Sequence, residues 1–186
     1  MTEQAIASRL DRIESRLEIR ELITDYCITV DDRDMDHLRS LFTEDVRFFS
    51  PSVPMAAEGA DQAIDMFIEI LGIRGPGYHW THDVMIRLDD HNPDEATGLV
   101  LAHAETTPNG VPSIAAIRYE DKYRRVDGKW KFAARTLKFL YYMPMEKFVE
   151  RFPTKQRIGV YGDWIDADFP EALESWQDWH RAHPGK

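Results

Sequence analysis

The chain has 186 residues, of which 43% are hydrophobic, and its formal net charge is −10. The length suits one domain with an extension, and the acidic charge argues against nucleic acid and anionic membranes as partners. Cys27 is the single cysteine and the charged amino terminus has no apolar signal core, so we expect a cytoplasmic protein. No apolar run reaches the roughly 20 residues that a membrane-spanning helix needs.

Helical patterns fill the first part of the chain. Apolar residues recur at steps of three and four from Ile6 to Val30, which predicts an amphipathic helix over residues 3–32. A stretch that contains proline and glycine predicts a loop further on. The shorter elements expected after the first helix are a helix over 35–42, a strand over 46–49, a loop over 51–60 and a helix around 64–71.

Strand-like segments follow the helices. They cover residues 77–88, 95–105, 113–126 and 129–142. The letters HNPD, PNG and DG between them are turn signals, so we expect an antiparallel meander. Helices followed by a meander predict an α+β fold, with the helices packed on one face of a curved sheet.

Asp31 lies where a buried helical face meets the end of the helix. It follows Ile23 and Cys27 in steps of four, which places it on the edge of the apolar stripe. A carboxylate there is partly desolvated and is a candidate base. The alternative is that Asp31 merely ends the helix or caps the next one. Tyr26, about 140° away around the helix axis, is more often a core residue.

Three histidines are candidates for acid–base chemistry, because imidazole titrates near neutral pH. Strand alternation places His82 with the apolar residues that follow it and places His79 on the opposite face. Alternation therefore favours His82 as the inward histidine. His103, which follows Leu99 and Leu101 on one face, is the third candidate.

Motifs of other chemistries do not occur in the sequence. No phosphate-binding loop, dinucleotide fingerprint, nucleophile elbow or zinc-protease helix is found. The histidines and aspartates show no tight metal-ligand spacing. We therefore do not expect a metal site.

Several of these segments together resemble a known family. They are the helix that ends in Tyr-x-x-x-x-Asp, the strand that ends in FF, and the segments HWTHDVMIRLDD and IRYEDKYRRVDGKWKFAAR. They resemble the SnoaL-like branch of the nuclear transport factor 2 superfamily over roughly residues 5–142. The resemblance implies a conical α+β barrel, here over residues 1–143, that needs no cofactor.

The resemblance also implies a catalytic pair. An aspartate at the end of the first helix and a histidine that opens the third strand recur in the enzymes of this branch, and these are Asp31 and His79 here. Tyr26 matches a tyrosine that assists in some members. Because strand alternation favours His82 instead, a β-bulge between the two histidines would reconcile the two predictions.

Enzymes of this branch include dehydratases, a dehydrochlorinase and a lyase of lignin-derived compounds. We therefore expect a cofactor-independent lyase of the elimination type that acts on a small apolar, aromatic or polycyclic molecule. An isomerase and a non-catalytic binder of small molecules are the alternatives. The side chains expected to contact the substrate are His82, Phe48, Trp80, His103, Tyr119 and Arg118.

Residues 144–186 are expected to extend the barrel domain. Pro170 is typical of the first residue of a helix, with Asp168 or Phe169 near its cap. The extension would cover the cone mouth of its own chain or of a neighbour and exclude water. The outer sheet face also needs cover, which predicts a homo-oligomer, three subunits being favoured by the resemblance and two the alternative. The residues expected on this outer sheet face are Val100, Ala102, Ala116 and Leu137, or their neighbours of opposite parity along the strands.

Overall fold

The structure is a computed structural model that describes residues 2–185, and it confirms the α+β prediction. Helices dominate the first third of the chain and strands the middle third. The elements in chain order are α1 Glu3–Asp32, α2 Met35–Ser40, β1 Phe42–Phe49, β2 Ala56–Glu58, α3 Ala60–Gly72, β3 Tyr78–Leu88, β4 Glu95–Thr106, β5 Ser113–Val126, β6 Lys129–Pro144, a 3-10 turn Met145–Lys147, α4 Phe148–Arg151 and α5 Glu174–Ala182.

All six strands form one sheet in the order β2-β1-β6-β5-β4-β3. Strands β3 to β6 are the expected antiparallel meander, whereas β1 pairs with β6 in parallel. The loop expected over residues 51–60 contains β2, which pairs with β1 through Arg47 and Glu58. These pairings curve the sheet into a cone that is open at one end, and helix α1 packs inside it.

The buried apolar side chains of helix α1 all lie in its second half. Ile19, Ile23 and Val30 are at most 3% exposed and face the inside of the sheet. The apolar residues of the first half, such as Leu10 and Leu17, are more than 50% exposed. The buried half therefore ends beside the cone mouth. Within residues 2–185 no helix is long and apolar enough to cross a membrane.

The outer face of the sheet follows the second of the two expected sets more than the first. Val100, Ala102 and Leu137 point into the cone, so their opposite-parity neighbours lie outside, and Ala116 is the one residue of the first set that lies on the outer face. Ala116 packs in a separate outer cluster with Tyr141. Alternation sets two opposite faces on each strand, but it does not say which of two apolar sets is the inner one.

The helix expected to begin at Pro170 begins instead at Glu174. Its N-cap is Leu173 and not Asp168 or Phe169. Oδ2 of Asp168 instead accepts a hydrogen bond from the backbone N–H of Phe139 at 2.7 Å. The same oxygen accepts a second hydrogen bond from the Ser52 hydroxyl at 2.8 Å. These contacts fasten the irregular segment between α4 and α5, residues 152–173, to the barrel. This segment is called the strap below.

Candidate active site

Asp31 and His79 meet where the end of α1 approaches the start of β3. The ring Nδ1 of His79 lies 2.6 Å from Asp31 Oδ1, and the backbone N–H of His79 donates to Oδ2 at 2.8 Å. Their side chains are 10% and 11% exposed, so the pair is largely shielded from water. Arg33 adopts a left-handed conformation directly after α1 and ends the helix. The carboxylate consequently stands in the last turn, where the strand can reach it.

A β-bulge in β3 decides which histidine faces inward. Thr81 pairs with Ala102, but the next pair is Val84 with Val100, so His82 and Asp83 stand opposite the single residue Leu101. The extra residue reverses the facing of the strand. His79 therefore shares the interior with Val84, while His82 is exposed on the outer face. The predicted bulge is present, but it lies at His82 and Asp83 and not between the two histidines. The prediction from alternation that His82 points inward is wrong.

A small cavity lies inside the cone beside His79. Its volume is about 30 Å³, enough for about two water molecules. Its walls are mainly apolar and aromatic, with a few polar groups from different elements. The residues that line it are Tyr26, Val30, Met55, Phe67, Arg74, His79, Ala104, Thr106, Ala115, Ile117, Tyr119, Leu137, Phe139 and Tyr142. An adjoining space of about 20 Å³ is lined by Asp31, His79 and Arg74 among others.

The expected substrate contacts divide between the cavity and the outside. Tyr26 and Tyr119 line the cavity, and Phe48 packs behind Tyr26 with ring centroids 6.3 Å apart. Trp80 is 52% exposed on the outer face, where its indole N–H donates to Glu105 at 2.7 Å. The sequence prediction that Trp80 lines the pocket is therefore wrong, because His79 takes the inward position beside it.

His82, His103 and Arg118 also lie outside the cone, and their prediction as substrate contacts is wrong. The two histidines face each other across the outer surface, with His82 Nε2 and His103 Nδ1 2.7 Å apart. His103 points outward because Ala102 and Ala104 occupy the inward positions of β4. The Arg118 guanidinium lies 4.4 Å from the centre of the Phe169 ring, beneath the strap.

Tyr26 is only 2% exposed and lies deep in the cone. Burial raises the pKa of its hydroxyl, an effect that the nearby Arg135 guanidinium partly opposes. The hydroxyl is therefore protonated over the whole physiological range. In that state it can donate a hydrogen bond to a group in the cavity but does not act as a base.

A fully buried ion pair behind Tyr26 was not expected from the sequence. Arg135 Nε and Nη2 donate to the two oxygens of Asp121 at 2.9 and 2.7 Å, and neither side chain is exposed. The guanidinium carbon lies 4.2 Å from the ring centroids of Tyr26 and Tyr119. The two residues are direct partners in the register of β5 and β6. Strand alternation places both residues at inward-facing positions of β5 and β6. This shared position is the sequence signal that could have predicted the pair.

The strap packs on the barrel beside this cavity. Gly159 N–H donates to the backbone oxygen of Tyr142 at 2.9 Å. The Tyr161 ring meets the Tyr142 ring edge-on with centroids 5.9 Å apart, and its hydroxyl accepts from Arg74 at 2.9 Å. Arg157, which is 4% exposed, binds Glu171 through two contacts of 2.7 Å, and its Nε donates to Leu140 O at 2.8 Å, which joins the strap to β6. The extension thus packs against the barrel of its own chain.

Comparison with known proteins adds the family to this geometry. The family model described as the SnoaL-like domain matches residues 11–136. The chain belongs to the SnoaL-like family. The matched range includes α1 from residue 11 onward, the bulged strand β3 and the buried pair of β5 and β6, and it stops before the strap.

Relatives of this SnoaL-like chain include γ-hexachlorocyclohexane dehydrochlorinase of Sphingobium indicum. The two are 28% identical over 142 residues, which cover 74% of this chain and 88% of the relative. The crystal structure of a type 2 hexachlorocyclohexane dehydrochlorinase is 25% identical, with a TM-score of 0.66 over 74% of this chain and 93% of that one. A putative scytalone dehydratase from Novosphingobium aromaticivorans shares the fold at 24% identity, with a TM-score of 0.64 over 72% of this chain and 89% of that one.

Proposed function

We propose that this protein is a lyase that eliminates a proton and a leaving group from a small, largely apolar molecule. The observation that carries the proposal is the contact of 2.6 Å between Asp31 and His79 at the wall of an apolar cavity. Two ionisable groups buried at such a wall cost several kcal/mol unless they are paired or used. Their pairing beside a cavity favours use in acid–base chemistry.

The contact with Asp31 assigns the basic nitrogen of His79. A carboxylate oxygen at Nδ1 accepts the ring proton there, so Nε2 keeps its lone pair. In the proposed reaction Nε2 removes a proton from a carbon of the substrate. The electrons of the broken C–H bond form a C=C bond, and the leaving group departs with the electrons of its own bond. Asp31 stabilises the imidazolium that results.

Tyr26 is proposed to assist departure of the leaving group. Its hydroxyl is protonated, lines the same cavity as His79 and can donate a hydrogen bond to the leaving atom. His82, the other candidate donor, is excluded by its outward position. The reaction needs no group other than these side chains, which is the basis for proposing a cofactor-independent lyase.

The relatives support elimination as the reaction class. Dehydrochlorination is the loss of hydrogen chloride, and the name of the Sphingobium relative describes that reaction. At 28% identity the substrate does not carry over. The aromatic walls of the cavity suit a ring compound. Because the closed cavity holds only about two water molecules, we propose that the strap moves when a substrate enters.

The test is product analysis with a panel of ring compounds that carry a halide or hydroxyl next to a C–H bond, including γ-hexachlorocyclohexane. Loss of HCl or water in the product mass supports the lyase, and the rate should not change with EDTA. A new product of unchanged mass would indicate an isomerase. Recovery of every compound unaltered, with some of them bound, would contradict the proposal and indicate a binder.

A further inference from the structure

Arg74 places a cation at the same cavity as the catalytic pair. It follows α3 and lines both the main cavity and the adjoining space that contains Asp31 and His79. Its one side-chain hydrogen bond within the described residues goes from Nη2 to the Tyr161 hydroxyl. Its Nε is buried and has no partner there. Among residues 2–185, no carboxylate lies within 4.0 Å of the Arg74 guanidinium, so Arg74 forms no ion pair there.

The missing counter-ion sets Arg74, which is partly buried, apart from the buried arginines Arg135 and Arg157. Arg135 forms two hydrogen bonds with Asp121, and Arg157 forms two with Glu171. A guanidinium removed from water without a carboxylate costs free energy that those pairs recover. A buried donor without a partner requires an explanation, and a ligand is one.

The backbone that carries Arg74 is held in place from two sides. Nη2 of Arg33, at the end of α1, donates to the carbonyl oxygen of Arg74 at 2.6 Å. On the other side, Gly75 N–H donates to Thr107 O at 3.2 Å, and Asn109 N–H donates to Ile73 O at 2.8 Å. The guanidinium is therefore presented by an ordered loop. Such preorganisation lowers the entropic cost of binding a ligand.

We propose that Arg74 binds an anionic oxygen of the substrate. The substrate class is then a small, mostly apolar molecule with one carboxylate, or with a carbonyl whose oxygen gains negative charge as His79 removes the adjacent proton. The inference rests on the proposed function, because it names the substrate class of that site. An arginine in a site of low dielectric stabilises such a charge far more than it would in water.

The neutral partner of Arg74 fits this role. The Tyr161 hydroxyl accepts one N–H of the guanidinium in the closed cavity. A charged oxygen is a stronger acceptor than a neutral hydroxyl, so a substrate can replace Tyr161 and release the strap. Hexachlorocyclohexane carries no oxygen, so this chain and its dehydrochlorinase relatives should differ in substrate.

The finding also corrects an expectation from the sequence. Arg118 was the basic residue expected to contact the substrate, but it lies under the strap outside the cone. Among the described residues, Arg74 is the one arginine that lines the main cavity, and Arg135 is neutralised by Asp121. A single arginine and a small cavity suit one anionic group and disfavour a nucleotide.

Two probe molecules distinguish a substrate carboxylate from a carbonyl oxygen that becomes negatively charged. Binding of benzoate, with neutral benzamide as its comparison, tests for a carboxylate and is measured by ligand-observed NMR. Exchange of the α-protons of 2-tetralone in D₂O tests for a carbonyl that becomes an enolate. The variant is Arg74→Gln, and the matched control is Arg118→Gln. Tyr161→Phe removes the competing hydroxyl and retains the cation.

In Arg74→Gln we expect benzoate binding, enzyme-catalysed exchange, or both to fall by about tenfold or more. Benzamide binding should stay unchanged, and Arg118→Gln should match the wild type in both measurements. Tyr161→Phe should bind benzoate at least as well as the wild type. Melting curves establish that each variant is folded.

Failure of the inference and failure of the proposed function give different results. If Arg74→Gln changes neither measurement, including the case in which the wild type acts on neither probe, the anion site is overturned. An equal loss in Arg118→Gln would overturn it as well. His79→Gln should abolish the exchange and leave benzoate binding intact, so benzoate reports on Arg74 even if the catalytic pair performs no elimination.

Discussion

The Asp31 carboxylate accepts two hydrogen bonds from one residue, the backbone N–H of His79 at 2.8 Å and its ring Nδ1 at 2.6 Å. The end of helix α1 is thereby tied to both the main chain and the side chain of the same strand residue. The orientation of the imidazole is fixed by the position of β3 as well as by its own rotamer. The register of that strand therefore determines whether the site exists.

Deleting Asp83 should leave His79 facing inward, because the bulge disappears and ordinary alternation then places His79 on the same face as Val84. We expect the folded deletion variant to keep product formation in the ring-compound assay close to the wild-type rate. Asp83→Ala is the matched control, since it removes only an exposed side chain and keeps the residue count. A fall of about a hundredfold or more, as expected for loss of the general base, would show that His79 had turned outward and would contradict the strand register.

Much of the fold could be predicted from the sequence because its signals are local. Helix α1 and the four strands of the meander show clear periodicity, and the edge position of Asp31 follows from the same pattern. The bulge could not be predicted from the residues themselves, since His82 and Asp83 fit an ordinary strand. Only the resemblance to the family placed His79 in the site.

Other parts of the site depend on tertiary structure that periodicity does not contain. Arg74 lies in a loop, and its position depends on contacts with Arg33 and with the β4–β5 connection. Pro170 carries a valid helix-start signal, but Asp168, the residue that would have capped the helix, is hydrogen-bonded to the sheet. In both cases long-range contacts decide the outcome.

Asp121→Asn should strongly destabilise the protein, because it leaves the Arg135 charge buried without its counter-ion. We expect the free energy of unfolding to fall by about 3–5 kcal/mol. Glu120→Gln is the matched control on the same strand, since its pair with Lys138 is partly exposed and should contribute about 1 kcal/mol or less. Denaturant unfolding measures both variants. Equal losses would contradict a stabilising role for the buried pair.

Glu171→Gln should loosen the strap in a pH-dependent manner. Hydrogen bonds from Arg157 lower the pKa of Glu171 below its ordinary 4.5, so the closed strap favours the carboxylate. This stabilisation is fully present above that ordinary value and is lost as the pH falls through the lower one. The variant should therefore unfold more easily than the wild type at pH 7, and the difference should shrink at a pH well below 4.5.

The control for the strap is Glu174→Gln, an exposed residue three positions further on. It should match the wild type at both pH values in the same unfolding measurement. A difference between the wild type and Glu171→Gln that stays constant with pH would show that the ion pair with Arg157 does not hold the strap.

We propose that the outer sheet face is covered by other copies of this chain. Three apolar residues on this face are exposed to solvent, with exposed fractions of 52% for Trp80, 49% for Met85 and 39% for Leu101. Light scattering should give the mass of a homo-oligomer, with three subunits favoured over two, and Leu101→Glu should shift it towards the monomer. Ile68→Glu, at an exposed position on α3, is the control. A wild-type mass of 21.7 kDa at micromolar concentration would contradict the assembly.

The central claim is that Asp31 and His79 act as one acid–base unit. It is tested most directly by the rates of product formation in Asp31→Asn, in His79→Gln and in the double variant. Each single variant should lose about a hundredfold or more in turnover, and the double variant should lose little beyond the larger single loss. Asp32→Asn and His82→Gln, at the exposed neighbouring positions, should keep wild-type rates. Wild-type turnover in folded Asp31→Asn and His79→Gln would contradict the account.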